Sequence, residues 1–289
     1  MAKFIQYSTK ESLYDGPFDS KAGWAAAGMG DLIVTGEGRL IAVDGGCNND
    51  DVGFVELLEK YAGGKKPVVD LWIITHPHGD HYGAINTISK NPELASRIEV
   101  KKFMYWFPME FTNAEGVAGV LAYGNKDMEA VAAVFGAEIE QPYRDQKINI
   151  DDIEIRFLYV PDDCSVLNTA GGNSNHCSLI FSVQGPAKKA MITGDAYGRS
   201  MQITAWRYRY DLGSDIMQFP HHALPDSFCK DFYKYVDAKT VFLPISIAGY
   251  RSTHSNMYSN LEGGMANLAT EAKADHVYKA FEGTFEVEI

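Results

Sequence analysis

Thr75-His76-Pro77-His78-Gly79-Asp80-His81 follows directly on the apolar run Val68-Val69-Asp70-Leu71-Trp72-Ile73-Ile74. The run is almost continuously apolar, which predicts a strand covered on both faces over residues 68–75. Three histidines and an aspartate then stand within six residues. Alternate side chains of an extended segment point the same way, so His76 and His78 can hold one cation while Pro77 faces elsewhere. Gly79 allows a sharp turn as the chain enters a helix, swinging Asp80 and His81 towards a second cation. Neutral imidazole with carboxylate suits zinc, manganese or iron.

Outward from this cluster the pattern is layered. Residues 32–34 and 40–43 are apolar runs joined by Gly36-Glu37-Gly38 and read as a hairpin ending at Asp44-Gly45-Gly46. Asp50 or Asp51 is placed to cap a helix whose Phe54, Leu57, Leu58 and Tyr61 recur at helical spacing before Gly63-Gly64. A helix is predicted over residues 127–135, stopped by Gly136, with further helices over 228–236 and within 256–273. Strands are predicted over residues 153–160, 178–183, 190–193, 241–245 and 284–289. Strands in runs, broken by single helices, favour two sheets with helices outside over one parallel sheet.

Composition narrows the function. The 289 residues are 46% hydrophobic and 22% charged, enough for a large core, and no linker divides them, so one domain over 1–289 is expected. A formal net charge of -12 repels phosphate backbones and argues against nucleic acid as partner, leaving a small-molecule substrate. The N-terminal residues lack a basic-then-apolar signal, and no apolar run is long enough to span a bilayer, so a cytoplasmic protein is expected. Cys47, Cys164, Cys177 and Cys229 form no C-x-x-C pair, which fits a reducing compartment and packing roles.

With these residues in place the chain resembles the metallo-β-lactamase superfamily, whose hallmark is H-x-H-x-D-H after a strand. The resemblance implies an α/β fold, an αββα sandwich of two mixed sheets with helices on the outer faces. It implies a centre of two divalent metal ions held by His76, His78, Asp80, His81, Asp195 and one of His221 or His222. Adjacent residues point apart, so only one of that pair is expected to reach the metal, and His221 is favoured. Asp44 in Val43-Asp44-Gly45-Gly46 resembles the aspartate that steadies the metal-bearing loop, and Asp195 in Thr193-Gly194-Asp195 the carboxylate that bridges the two ions.

One departure is informative. Most relatives have a further histidine before a strand between the cluster and the bridging aspartate, but here Asn175-His176-Cys177-Ser178 stands in that region. It is similar to the Asn-x-x-Ser branch, seen in the hydrolase domain of DNA-uptake channels and in phosphorylcholine esterases. His176 is out of register by one residue and is carried as an alternative ligand. Asn175, His222, Tyr250, Arg251 and His254 are candidate substrate contacts, the last three in a strand-plus-loop over residues 244–254. The resemblance implies a hydrolase in which a dinuclear metal centre activates water, with Asp80 orienting it and holding its proton, acting on a phosphoester. Lactam, lactone or thioester hydrolysis and a di-iron oxidoreductase are the alternatives.

Overall fold

A computed structural model describes residues 1–17, 27–107, 124–161, 174–255 and 260–289. Cys164 and the start of the helix expected within 256–273 lie outside them. The first sheet takes β1 (Lys3–Gln6), β2 (Gly30–Val34), β3 (Leu40–Asp44), β4 (Val68–Ile73), β5 (Glu99–Val100), β6 (Lys102–Met104) and β7 (Glu138–Glu140). The second takes β8 (Lys147–Ile150), β9 (Ile153–Tyr159), β10 (Ile180–Gln184), β11 (Lys189–Ile192), β12 (Ile216–Gln218), β13 (Thr240–Leu243) and β14 (His276–Lys279). The last strand, β15 (Phe285–Glu288), returns to pair with β1. Among the described residues the sheet orders are β15-β1-β2-β3-β4-β6-β7, with β5 on β4, and β14-β13-β12-β11-β10-β9-β8. Both are mixed: β3, β4, β6 and β7 run parallel, as do β11 to β14.

The helices are α1 (Asp51–Tyr61), α2 (Gly79–Lys90), α3 (Pro92–Arg97), α4 (Asn125–Phe135), α5 (Gly198–Tyr208), α6 (Lys230–Val236), α7 (Ile247–Thr253) and α8 (Glu262–Glu271). The alternation of β4 explains their placement. Trp72 and Ile74 point outward into a core with Phe54 and Leu58 of α1, Tyr82 and Ile85 of α2 and Met128 of α4. Leu71 and Ile73 point inward, meeting Phe157, Phe181, Ile192 and Phe242 of the second sheet. Val241 and Leu243 of β13 complete the pattern against Met201 and Ala205 of α5 and Phe232 and Val236 of α6. The order of layers is helix, sheet, sheet, helix, the αββα sandwich. Each fully buried large apolar side chain contributes about 1.5–3 kcal/mol, so these layers fix which face of each strand turns towards which core.

Three expectations change. Asp50 makes no side-chain cap to α1; its carboxylate accepts the backbone N–H groups of Cys47 at 2.8 Å and Lys10 at 2.7 Å. Residues 247–253 form α7 rather than loop, because Ser246 Oγ accepts the Gly249 N–H at 3.0 Å and caps a helix there. Gly79 needs no left-handed backbone, since it is the first residue of α2. Among the described residues no helix is long and apolar enough to cross a membrane.

Candidate metal centre

The site forms where β3, β4, β11, β12 and β13 end. Asp44 closes β3 with φ 53°, and its carboxylate accepts the Thr75 N–H at 2.8 Å and the Thr75 hydroxyl at 2.7 Å. It also lies 2.7 Å from His81 Nδ1. One carboxylate therefore holds both the loop after β4 and the first turn of α2. There the N–H groups of His81 and Tyr82 donate to His78 O, starting the helix and carrying Asp80 and His81 in its first turn. Asp80 also gains from the positive end of the helix dipole.

The second sheet supplies the opposite wall. Gly194 turns the chain after β11 with φ 50°, and a Cβ there would lie 2.8 Å from the Thr75 side chain, so the turn needs glycine for its backbone and for the close approach. Asp195 follows, its N–H donating to Ser178 Oγ at 3.1 Å. After β12, His221, His222 and Ala223 all take left-handed backbone, with φ 45°, 53° and 60°. This turn sends the two imidazoles apart, with ring centroids separated by 6.1 Å.

Two groups of metal-ligand type result: His76, His78 and Asp195, and Asp80, His81, Asp195 and His222. Asp195 belongs to both. Its Oδ1 is 3.2 Å from His81 Nε2, and its Oδ2 is 3.7 Å from His76 Nε2 and 3.5 Å from His222 Nε2. Asp80 Oδ2 is 3.2 Å from His222 Nε2. His222 Nδ1 donates to the Pro244 carbonyl at 2.6 Å, which directs Nε2 into the group. The buried atoms His76 Nε2, His81 Nε2, His222 Nε2 and Asp195 Oδ1 have no hydrogen-bond partner. Buried polar atoms are nearly always partnered, and convergent imidazole nitrogens with carboxylate oxygens are the donors a transition metal takes. The residues fit metal ions.

The charges agree. Burial would raise the Asp195 carboxyl, but the charges of His222 and His81 hold it well below the usual carboxylate range. Asp80 is held low in the same way, desolvation being opposed by His81 and His222. Burial would lower His222, yet Asp195 and Asp80 push it up to about 10. His81 is likewise pushed well above its ordinary value, burial being outweighed by Asp195 and Asp44. Burial, reinforced by His81, holds His76 well below its own. The acidic walls thus draw positive charge to the middle of the cluster.

Several expected residues fall elsewhere. His222, rather than the favoured His221, enters the group; His221 Nε2 stands 3.9 Å from Asp195 Oδ2 and 3.1 Å from Asn175 Nδ2. His176 is in neither group and packs its ring on Tyr197 at 4.8 Å. Arg251 pairs with Asp15, and the Tyr250 ring packs on His254 and Phe281. His254 Nε2 is 3.1 Å from Glu271 and its Nδ1 2.8 Å from Tyr250 O, so the 250–254 candidates are engaged with the N-terminal segment, α8 and the C-terminal segment. Asn175 does lie beside the centre, donating to Tyr197 OH at 3.2 Å. Tyr197 was not anticipated from the sequence, although its position two residues after Asp195 offered a signal. A cavity of about 670 Å³ lined by Arg39, Asp70, Lys101 and Glu140 lies at the opposite ends of the strands, away from these residues.

Known proteins share this architecture. A family model described as the metallo-beta-lactamase superfamily matches residues 32–233, and the chain belongs to that superfamily. The metallo-beta-lactamase fold protein YhfI from Bacillus subtilis superposes with a TM-score of 0.53 at 13% identity, over 99% of this chain and 100% of that one. Zn(2+)-bound PqqB from Methylobacterium extorquens gives a TM-score of 0.58 at 10% identity over 100% of each chain. At such identities the likeness is one of fold. No curated protein matches the sequence significantly.

Proposed function

We propose that the chain is a metal-dependent hydrolase of phosphoesters, of the Asn-x-x-Ser type, with two divalent ions, most simply zinc, held by the two groups that share Asp195. One observation carries the reading. The group of His76, His78 and Asp195 has three side chains, and Asn175, which the resemblance puts in place of a further histidine, has its amide 3.1 Å from His221. Such a site leaves coordination positions for hard, anionic phosphoryl oxygens. Ser178, the other residue of the pattern, has a definite task, since its hydroxyl holds the Asp195 backbone.

Divalent ions here would supply Lewis acidity, which for zinc lowers the pKa of water to about 7 and offsets charge developing on a phosphoryl oxygen. The protein supplies position. Asp195 links the two groups, the Asp44 carboxylate fixes the His81 ring, and the Pro244 carbonyl fixes that of His222. Asp80, 29% exposed at its side chain, is the carboxylate open to the cleft, and it orients water and takes its proton. Asn175 and His221 contact the substrate's oxygens. No covalent enzyme intermediate is needed.

The test is a turnover panel with zinc- and manganese-loaded protein on a phosphodiester, a phosphomonoester, a thioester, a lactone and a β-lactam. Faster cleavage of a phosphoester than of any other member is expected. Cleavage of the lactam, lactone or thioester with every phosphoester untouched would overturn the phosphoester assignment.

A further inference from the structure

The first sheet carries a second set of buried polar atoms that belong to neither metal-ligand group. Gln6 and Asp31 stand opposite each other across the antiparallel β1–β2 pair. They are 2% and 0% exposed, and by strand alternation they share the face of Phe4 and Ile33, between the sheets. Both polar atoms of the Gln6 amide and both Asp31 oxygens lack a hydrogen-bond partner, as does the buried hydroxyl of Thr9, three residues beyond Gln6. No lysine, arginine or histidine among the described residues is paired with Asp31.

Directly opposed residues have Cβ atoms about 4.5–5.5 Å apart, so an amide and a carboxyl there can reach each other. They do not bond. A protonated Asp31 has the Gln6 amide oxygen as its natural acceptor, and an ionised one has the amide N–H as donor. That neither contact forms leaves the oxygens of both side chains without partners in the layer between the two sheets. Burial, and then the charge of Asp44, disfavour the carboxylate at this point, and the charge of His81 opposes them only in part. Asp44 already takes contacts from His81 and Thr75, and the His81 charge that acts on Asp31 is shared with it, so among the described residues Asp31 has no counter-charge in contact.

We propose that Gln6 and Asp31 hold a monovalent alkali cation, sodium or potassium, between the sheets, with Asp31 carboxylate and Gln6 amide oxygens as ligands. Hard oxygen donors suit such an ion, and one carboxylate balances one charge, whereas divalent oxygen sites commonly draw on several carboxylates. The site lies one residue along from the Gly30–Asp44 pair, so the cation braces the strand ends that carry Asp44.

The experiment uses the whole chain at fixed pH and ionic strength, melted in about 150 mM potassium, sodium or tetramethylammonium chloride. The wild type is expected to gain about 3 °C in one of the alkali salts over tetramethylammonium. Asp31→Asn removes that gain, and Gln6→Leu reduces it, which keeps the test open if the first variant does not fold. Crystals soaked in a thallium(I) salt are expected to show an anomalous peak between the two side chains. Equal melting temperatures in all three salts, or a thallium-soaked crystal without that peak, would overturn the proposal.

Discussion

At His222 a carbonyl behind the ring and two carboxylates in front of it decide the side chain's role. The Pro244 oxygen takes the Nδ1 proton and Asp80 and Asp195 face Nε2. His222→Ala is therefore expected to lower bound metal by about one ion per chain, whereas His221→Ala keeps the metal and raises KM. Elemental analysis beside steady-state kinetics checks both; equal metal loss in the two variants would reverse the assignment. The choice between these neighbours was not legible from sequence, because it depends on three successive left-handed residues that no local propensity announces. His76, His78, Asp80 and His81 were legible, because strand alternation and a helix start are local rules. Asp80→Asn should lower kcat more than it raises KM, since the amide fills the space without accepting a proton. A variant with retained metal and unchanged kcat would remove Asp80 from proton transfer.

Among the elements, the turn after β11 carries the most consequence. Gly194→Ala places a Cβ against Thr75 at a φ of 50°, and is expected to cost about 1–3 kcal/mol, measured by urea unfolding. Thr75 is also a partner of Asp44, so the same change should weaken metal binding; a variant as stable as wild type would show that the turn tolerates a side chain. β4, α1 and α4 could be read in advance because their apolar runs or periods are long, and Gly136, with φ 63°, ends α4 as expected. β1, β12 and β14 have only three or four residues, too few for a period to show. α5 escaped for another reason. Its buried face mixes Met201, Ala205 and Tyr208 with Ser200 and Thr204, so polar residues dilute the apolar stripe. α7 was hidden behind the strand before it, its start set by the Ser246 cap.

Over the whole molecule, the sandwich brings the ends of two sheets together so that the loop after β4 and the turns after β11 and β12 share one centre. Leu179 N–H donates to Thr75 O at 3.0 Å and ties the two sheets at that place. Collecting carboxylates and imidazoles there makes stability depend on pH. In metal-free protein His222 titrates near 10 against an ordinary 6.5, so its ion pairs stabilise fully below about pH 6.5 and are lost as pH rises through about 10. Asp195 and Asp80 are depressed, so their contribution is present above about pH 4 and is lost as pH falls through their lowered values. Metal-free protein should thus weaken towards alkaline pH, and zinc-loaded protein should not, because a cation replaces the proton. Urea midpoints across that range check this; the same alkaline loss with and without zinc would contradict it.

The claim beneath these predictions is that Asp195 joins two cation sites into one centre. Calorimetric titration of metal-free protein with zinc tests it most directly. Wild type is predicted to take up two ions per chain, and Asp195→Ala to lose tight binding at both sites together. An Asp195→Ala protein that still binds two ions as tightly as wild type, or one that loses a single ion and keeps the other unchanged, would contradict the account.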